Sequence, residues 1–419
     1  LSEEKTKPKI LYMTDYSTRS GFGLVADNVC KGLSEKFDVF LLGWGFHFQE
    51  PIGRNGYTLL PSGQHPFGAD ILPYYLERLK PEVLITQADT RMIDYLPDLL
   101  NQMPTKPTWI YYPVIDGHVW DLENKRTKWP SNWTAVMKQA DVVVGMTKFG
   151  QKILKANGLE DARHIDHGVD TSVFKPFPKK VKEEIKQSVG LGGKFVVGGI
   201  FKNIQRKNPE KYLHSYAIFR KRKENKTVLL LHTQPNQKSG GQIDLVQQAI
   251  DIGLVPGKDV VFSSRGVPTS QMPAVYNSMD VFWTLGGMES FCIPLVEAMS
   301  CGVPVVALQA TTFPEILGKT GLLTKVPTYP GSKGVPFTYG SYNGVECMVP
   351  NPYDVAKKTN SLYADKFLRE RIAINESERA VKFYDWSLIR KQWVELVKSC
   401  VITEDDLPEE WQKIYEQTK

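Results

Sequence analysis

The chain has 419 residues, of which 42% are aliphatic or aromatic, and a formal net charge of +6. That length exceeds one ordinary core and predicts two domains of roughly 200 residues each, while no run approaches the ~18 consecutive apolar residues of a membrane-spanning helix. Five scattered cysteines (Cys30, Cys292, Cys301, Cys347, Cys400) without Cys-x-x-Cys spacing argue against a disulfide framework or a zinc site. The start, Leu1-Ser2-Glu3-Glu4-Lys5, lacks a signal-peptide core, so a cytoplasmic location is expected.

Ile10-Leu11-Tyr12-Met13 reads as a strand, residues 24–33 as a helix and Val39-Phe40-Leu41-Leu42 as a second strand, the βαβ pattern of a parallel sheet. Between them Ser20-Gly21-Phe22-Gly23, read alone, is a tight strand-to-helix turn. Val83-Leu84-Ile85, Thr108-Trp109-Ile110-Tyr111-Tyr112 and Val142-Val143-Val144 complete a first doubly wound domain. A Pro- and Lys-rich stretch from Lys175 to Lys180 predicts the hinge, and alternation restarts at Phe195-Val196-Val197-Gly198-Gly199. The expected division is residues 1–185, residues 186–380 and a terminal helical stretch, 381–419.

Lys202, Arg206 and Lys207 follow the first strand of the second half directly, where cations can meet an anion beyond the carboxyl end of a parallel sheet. Lys and Arg are also dense over 175–186 and 202–226. Such clusters attract an anionic donor, acceptor, lipid surface or nucleic acid, or they form a solvated helix face. Further strands are expected at Val228-Leu229-Leu230-Leu231, Val260-Val261-Phe262, Val281-Phe282-Trp283 and Val303-Pro304-Val305-Val306. Residues 326–351, rich in Pro, Gly and Tyr, interrupt the pattern and read as an ordered excursion over a cleft, a partner site or a plain surface loop. Helices are expected from 352 to 415.

The most informative stretch is 286–307, where Glu289 and Glu297 stand eight residues apart around a turn into a helix. Pro294-Leu295-Val296-Glu297-Ala298-Met299 has apolar positions at helical spacing, so a helix start lies between the two acids. The free N–H groups of Phe291 and Cys292 there would attract a phosphate, with Ser290 beside them. Glu289 then flanks whatever the phosphate carries and Glu297 can accept hydrogen bonds from a second part of the ligand. A nucleotide-diphosphate sugar has that layout. Taken singly, each acid reads as a surface residue.

The E-x7-E spacing of Glu289 and Glu297 resembles the retaining glycosyltransferases of family 4, which have the GT-B fold: two doubly wound Rossmann-like α/β domains facing a cleft. Gly21, Phe22 and Gly23 look like that family's donor-phosphate loop, the segment Asn203 to Asn208 like its basic diphosphate-binding segment, and His167-Gly168-Val169-Asp170 with Phe174 and Pro176 like its inter-domain signature. The resemblance implies that Glu289 contacts the transferred sugar and Glu297 the ribose. It implies that Lys202, Arg206 and Lys207 neutralise the diphosphate without a metal, the choice among the three remaining open. His118, after the Thr108–Tyr112 strand, resembles the family's cleft histidine, and Asp116 is a candidate to orient the acceptor hydroxyl or take its proton. Read alone, Asp116-Gly117 is a turn pair. The terminal helical stretch is expected to cross back to the first domain. One departure stands out: the family usually has Gly where Cys292 stands.

The resemblance therefore implies a hexosyltransferase using a UDP- or GDP-sugar, with no cofactor. The alternatives are a GT-B protein that binds a nucleotide sugar or polyanion without turning it over, and a GT-B epimerase. The acceptor stays open among a glycan, a lipid-linked sugar, a protein and a modified nucleic acid. Its contacts are expected from 44–68 and 120–133, where Trp44, Phe46, Phe48, Trp120, Trp129 and Trp133 offer stacking faces or core packing.

Overall fold

The computed structural model describes residues 7–16, 21–47, 50–121, 126–236, 243–263, 266–330, 336–340 and 345–401. Ser20, Phe48, the side chain of Trp120, parts of 326–351 and everything after 401 lie outside the described residues.

Among the described residues, ten strands belong to the first half: β1 (Lys9–Asp15), β2 (Asp38–Trp44), β3 (Ile52–Arg54), β4 (Tyr57–Leu60), β5 (Val83–Ala88), β6 (Thr108–Pro113), β7 (Val119–Asp121), β8 (Arg126–Lys128), β9 (Val142–Gly145) and β10 (Arg163–His164). Eight of them form one sheet in the order β10-β9-β6-β5-β1-β2-β4-β3, parallel except for β3, which runs antiparallel to β4. Strand β5 is buried at every position, as a central strand covered on both faces must be, and this is why its sequence reads as an apolar run. The pair β7–β8 is a separate antiparallel hairpin.

The second half contributes β11 (Phe195–Ile200), β12 (Thr227–His232), β13 (Val260–Phe262), β14 (Val281–Thr284), β15 (Val305–Leu308) and β16 (Leu322–Thr324). They form an all-parallel sheet in the order β13-β12-β11-β14-β15-β16. After β16 the chain makes a further antiparallel hairpin, β17 (Thr338–Gly340) with β18 (Glu346–Met348). Strand β15 begins two residues later than Val303, because Val303 and Pro304 close the turn from the preceding helix.

The chain returns to the first sheet at its end. Asp385 separates the helix Lys366–Tyr384 from the helix Trp386–Lys398 and caps the latter by accepting from the Ser387 N–H at 2.8 Å. Trp386, Ile389, Trp393, Leu396 and Val397 then pack into the core around Ile10, Val29, Leu41 and Ile85. At the crossing, Val169 N–H donates to the Tyr384 carbonyl at 2.7 Å and Trp386 N–H to the Val169 carbonyl at 3.1 Å. A Cβ on Gly168 would stand 2.6 Å from the Trp386 ring, so this position tolerates only glycine. The motif His167–Asp170 is thus the clasp between the two chain crossovers. Among the described residues no helix is long and apolar enough to cross a membrane.

Candidate functional site between the two sheets

The loops after β5, β6, β11 and β14 approach one another, bringing Asp89, Asp116, Arg206 and Glu289 within electrostatic reach. From β14 the chain passes through Leu285-Gly286-Gly287-Met288 to Glu289, and from β11 through Phe201 to a short 3-10 turn at Gln205–Lys207. The two loops are bonded: Gly287 N–H donates to the Arg206 carbonyl at 2.9 Å, and the Arg206 guanidinium donates to the Met288 carbonyl at 2.8 Å. Asn208, in a left-handed conformation, donates from Nδ2 to the carbonyls of Leu285 (2.8 Å) and Met348 (3.0 Å).

That backbone brings two cations to one carboxylate. Glu289 is only 5% exposed; its Oε1 accepts from the Lys207 ammonium, and its Oε2 lies 3.6 Å from the Arg206 guanidinium. A carboxylate this buried is sustained by its paired charges. Lys202 is exposed and makes no ion pair among the described residues, so the structure gathers Arg206 and Lys207, not Lys202, around Glu289.

Glu297 lies inside the helix Ile293–Ser300 and is buried, with Oε2 accepting from the Tyr276 hydroxyl at 2.6 Å. Burial raises its carboxyl to about 7, with the Tyr276 bond opposing that shift. The helix starts after Cys292, which caps it at φ 76 and ψ 75, a left-handed conformation that disfavours a Cβ. Burial and the nearby Glu289 charge push the Cys292 thiol up to about 12, so it is neutral. Ser290 is half-buried and its carbonyl accepts from Thr147 of the first domain at 3.3 Å. Phe291 is a core side chain, 4.9 Å from the His167 ring and 5.8 Å from Tyr384.

From the first domain, Gly21, Phe22 and Gly23 form the opening turn of the helix Gly21–Leu33. A Cβ on Gly21 would touch Ile293 at 3.4 Å, so the starts of two helices from different domains abut. Asp116 and His118 follow β6. Asp116 is 3% exposed, and its carboxyl is raised to about 6, first by burial and then by the charges of Asp89 and Glu289, against the opposing effect of Arg206. His118 is half-buried with an unpartnered Nδ1, and desolvation lowers its affinity for a proton. His167 is buried against Tyr112 and Phe291, and desolvation drives it down to about 3, so it stays neutral.

Asp89, which the sequence motifs do not single out, joins these groups: it stands one residue beyond β5 with its carboxylate 3.7 Å from Arg91 and within the field of Arg206. Its position after a strand end was the available signal, since Ala88 pairs with Pro113 of β6 and the two strand ends open side by side. The basic runs divide: Lys175, Lys179, Lys221 and Lys226 are exposed, while others are engaged within the protein. Lys186 pairs with Asp280 at 2.6 Å, Arg220 with Asp259 at 2.7 Å, and Lys223 sits over the Phe219 ring at 4.8 Å. Trp44 and Trp129 are buried, packing against Phe67 and Trp133.

Residues 181–379 match the family described as Glycosyl transferases group 1. Among curated proteins, the chain is 31% identical over 193 residues to a GDP-mannose-dependent alpha-(1-6)-phosphatidylinositol monomannoside mannosyltransferase of Mycolicibacterium smegmatis, covering 43% of this chain and 48% of the relative. The chain spans about half the length of the curated relatives it matches. Among solved structures, sucrose-phosphate synthase of Thermosynechococcus elongatus superposes with a TM-score of 0.72 at 15% identity, covering 94% of this chain and 99% of the other. Anabaena HepE bound to UDP-glucose superposes with a TM-score of 0.70 at 18% identity, covering 93% and 99%. The two-sheet architecture is the GT-B fold.

Proposed function

From a second domain that belongs to the glycosyl transferases group 1 family, we propose that this chain transfers a hexosyl group from a nucleotide-diphosphate sugar to an acceptor hydroxyl. The observation that carries the reading is the pairing of Lys207 and Arg206 with the buried Glu289, within the electrostatic reach of Asp116 from the first domain. On this reading the domains divide as 1–185, 186–380 and 381–419.

The diphosphate lies between the turn Gln205–Lys207 and the helix starts at Gly21 and Ile293, where cations and the positive ends of the two helices stabilise the charge that develops as the anomeric bond breaks. Lys202, exposed at the same strand end, supplies a further cation to the diphosphate. Arg206 and Lys207 take the part that a metal plays in other transferases. Glu289 holds the sugar, and Glu297, anchored by Tyr276, accepts from the ribose hydroxyls. The leaving phosphate takes the acceptor proton, which gives retention of configuration, and Asp116 orients the acceptor hydroxyl with neutral His118 beside the sugar.

GDP-mannose is the first donor to test, because the Mycolicibacterium relative is named for it; UDP-glucose is the second, because HepE was solved with it. Each is mixed with the protein in a thermal-shift panel, where ~100 times the dissociation constant stabilises by about 2.7 kcal/mol. Release of free nucleotide is then followed by coupled assay. Binding without any release, with or without acceptor mixtures, favours the rival binding-module reading; no shift with any nucleotide sugar removes both.

A further inference from the structure

We propose that the hairpin β17–β18, inserted after the second sheet, is a positioning element that sets the His118 loop of the first domain against the diphosphate and sugar loops of the second. The inference rests on the transferase reading above.

Strand β18 touches all three loops through its backbone. Glu346 N–H donates to the His118 carbonyl at 3.0 Å, and Met348 N–H donates to the Gly287 carbonyl at 3.1 Å. The Met348 carbonyl accepts from Asn208, and the Cys347 thiol lies 3.7 Å from the Arg206 carbonyl. On β17, the Tyr339 hydroxyl donates to the Gln205 carbonyl at 2.7 Å, fixing the start of the turn that carries Arg206 and Lys207. Val345 and Cys347 are fully buried in the first domain's core together with Met288, so the strand is a wall and not a surface flap.

The fit is close on both sides. A Cβ on Gly287 would stand 2.1 Å from the Met348 carbonyl, and a Cβ on Gly117 would stand 3.3 Å from both the Glu346 carbonyl and Val345. A shift of the strand therefore moves the backbone on either side of it. The same strand passes the position of Asp116 and His118 to that of Arg206, Lys207 and Glu289, although the two groups lie on different domains. Small misplacements of reacting groups reduce rate steeply, so such a strap acts on turnover more than on donor binding.

Three variants test this. Tyr339→Phe removes the hydroxyl on Gln205 and is expected to weaken UDP and GDP binding by about fivefold. Glu346→Pro removes the N–H donated to His118. That N–H points away from β17, so the hairpin ladder keeps its bonds. Gly117→Ala presses on the same contact from the other side and stands in if the proline variant does not fold. Both are expected to lower kcat per binding-competent site about ten- to a hundredfold while nucleoside diphosphate affinity stays within about twofold, with competent sites counted by calorimetric stoichiometry. A purely structural role would lower the number of competent sites and leave kcat per site unchanged. Wild-type kcat per site in Glu346→Pro and Gly117→Ala, or unaltered diphosphate affinity in Tyr339→Phe, overturns the proposal. Absence of any UDP or GDP binding by the wild-type protein instead overturns the transferase reading, and the proposal with it.

Discussion

Lys207→Met leaves Glu289, with 6% side-chain exposure, without the cation that donates to its Oε1. Removing one partner of a buried pair costs about 3 to 5 kcal/mol when the other charge is left uncompensated. Here the guanidinium of Arg206 remains 3.6 Å from Oε2, so part of the compensation survives and the expected loss is nearer ~2 to 3 kcal/mol. For a domain of roughly 200 residues that corresponds to a fall in Tm of about 5 to 10 °C. The assay is differential scanning calorimetry at fixed ionic strength, with Glu289→Gln and the double variant measured alongside. Because the loss comes mostly from an orphaned carboxylate, neutralising it should recover most of it, leaving the double variant within ~1 kcal/mol of the parent. Losses that add within ~0.5 kcal/mol would falsify the paired-charge account of Glu289.

Glu297→Ala is expected to weaken binding of the bare nucleoside diphosphate, whereas Glu289→Ala mainly lowers turnover; equal effects of the two on calorimetric binding would remove that division of roles. Because burial lifts the Glu297 carboxyl from an ordinary 4.5 to about 7, its contribution to stability is fully present below 4.5 and is lost as pH rises through about 7. Nucleotide affinity should move the opposite way, increasing as the carboxylate forms, and Glu297→Gln should flatten both curves in a titration from pH 5 to 8. Transfer should persist in EDTA, and loss of activity that manganese or magnesium restores would refute the cationic-loop reading. Glu315 of the second domain accepts from the Lys148 and Phe149 N–H groups, both at 2.8 Å, and so caps a first-domain helix across the cleft. Nucleotide sugar should reduce the radius of gyration in small-angle scattering and Glu315→Ala should enlarge it without ligand; an unchanged profile in both would mean that neither ligand nor cap governs the approach of the domains.

The α/β alternation, the central strands of both sheets and the strand-end placement of Glu289, Arg206 and Lys207 were legible because they depend on short-range signals, whereas the outer strands β3, β4, β10 and β16 were not. Apolar runs mark strands, Pro294 opens a helix, and a basic segment directly after a strand lies at that strand's carboxyl end. Which of the three cations meets Glu289 was not legible. The answer depends on the 3-10 turn at Gln205–Lys207, and that turn is set by bonds from Gly287 and Tyr339, both more than eighty residues away in sequence. Asp89 was missed for a related reason. Its neighbourhood to Asp116 follows from the β5–β6 register, which no local pattern around Asp89 specifies.

Cys292 and residues 326–351 mark the two kinds of departure that a motif comparison handles least well. Cys292 holds a left-handed conformation, φ 76, that glycine would occupy freely, and it sits between the buried Phe291 and the start of a helix. The helix that carries Glu297 therefore starts here without glycine at its cap. In 326–351 the converse holds: no residue in it belongs to a motif, yet Val345, Cys347 and Met348 fill the gap between the His118, Arg206 and Gly287 loops. An inserted segment can be buried this deeply only if its N–H and carbonyl groups find partners. β18 finds them on the loops that carry the candidate chemistry, which ties the geometry of the site to a stretch whose composition alone reads as a loop.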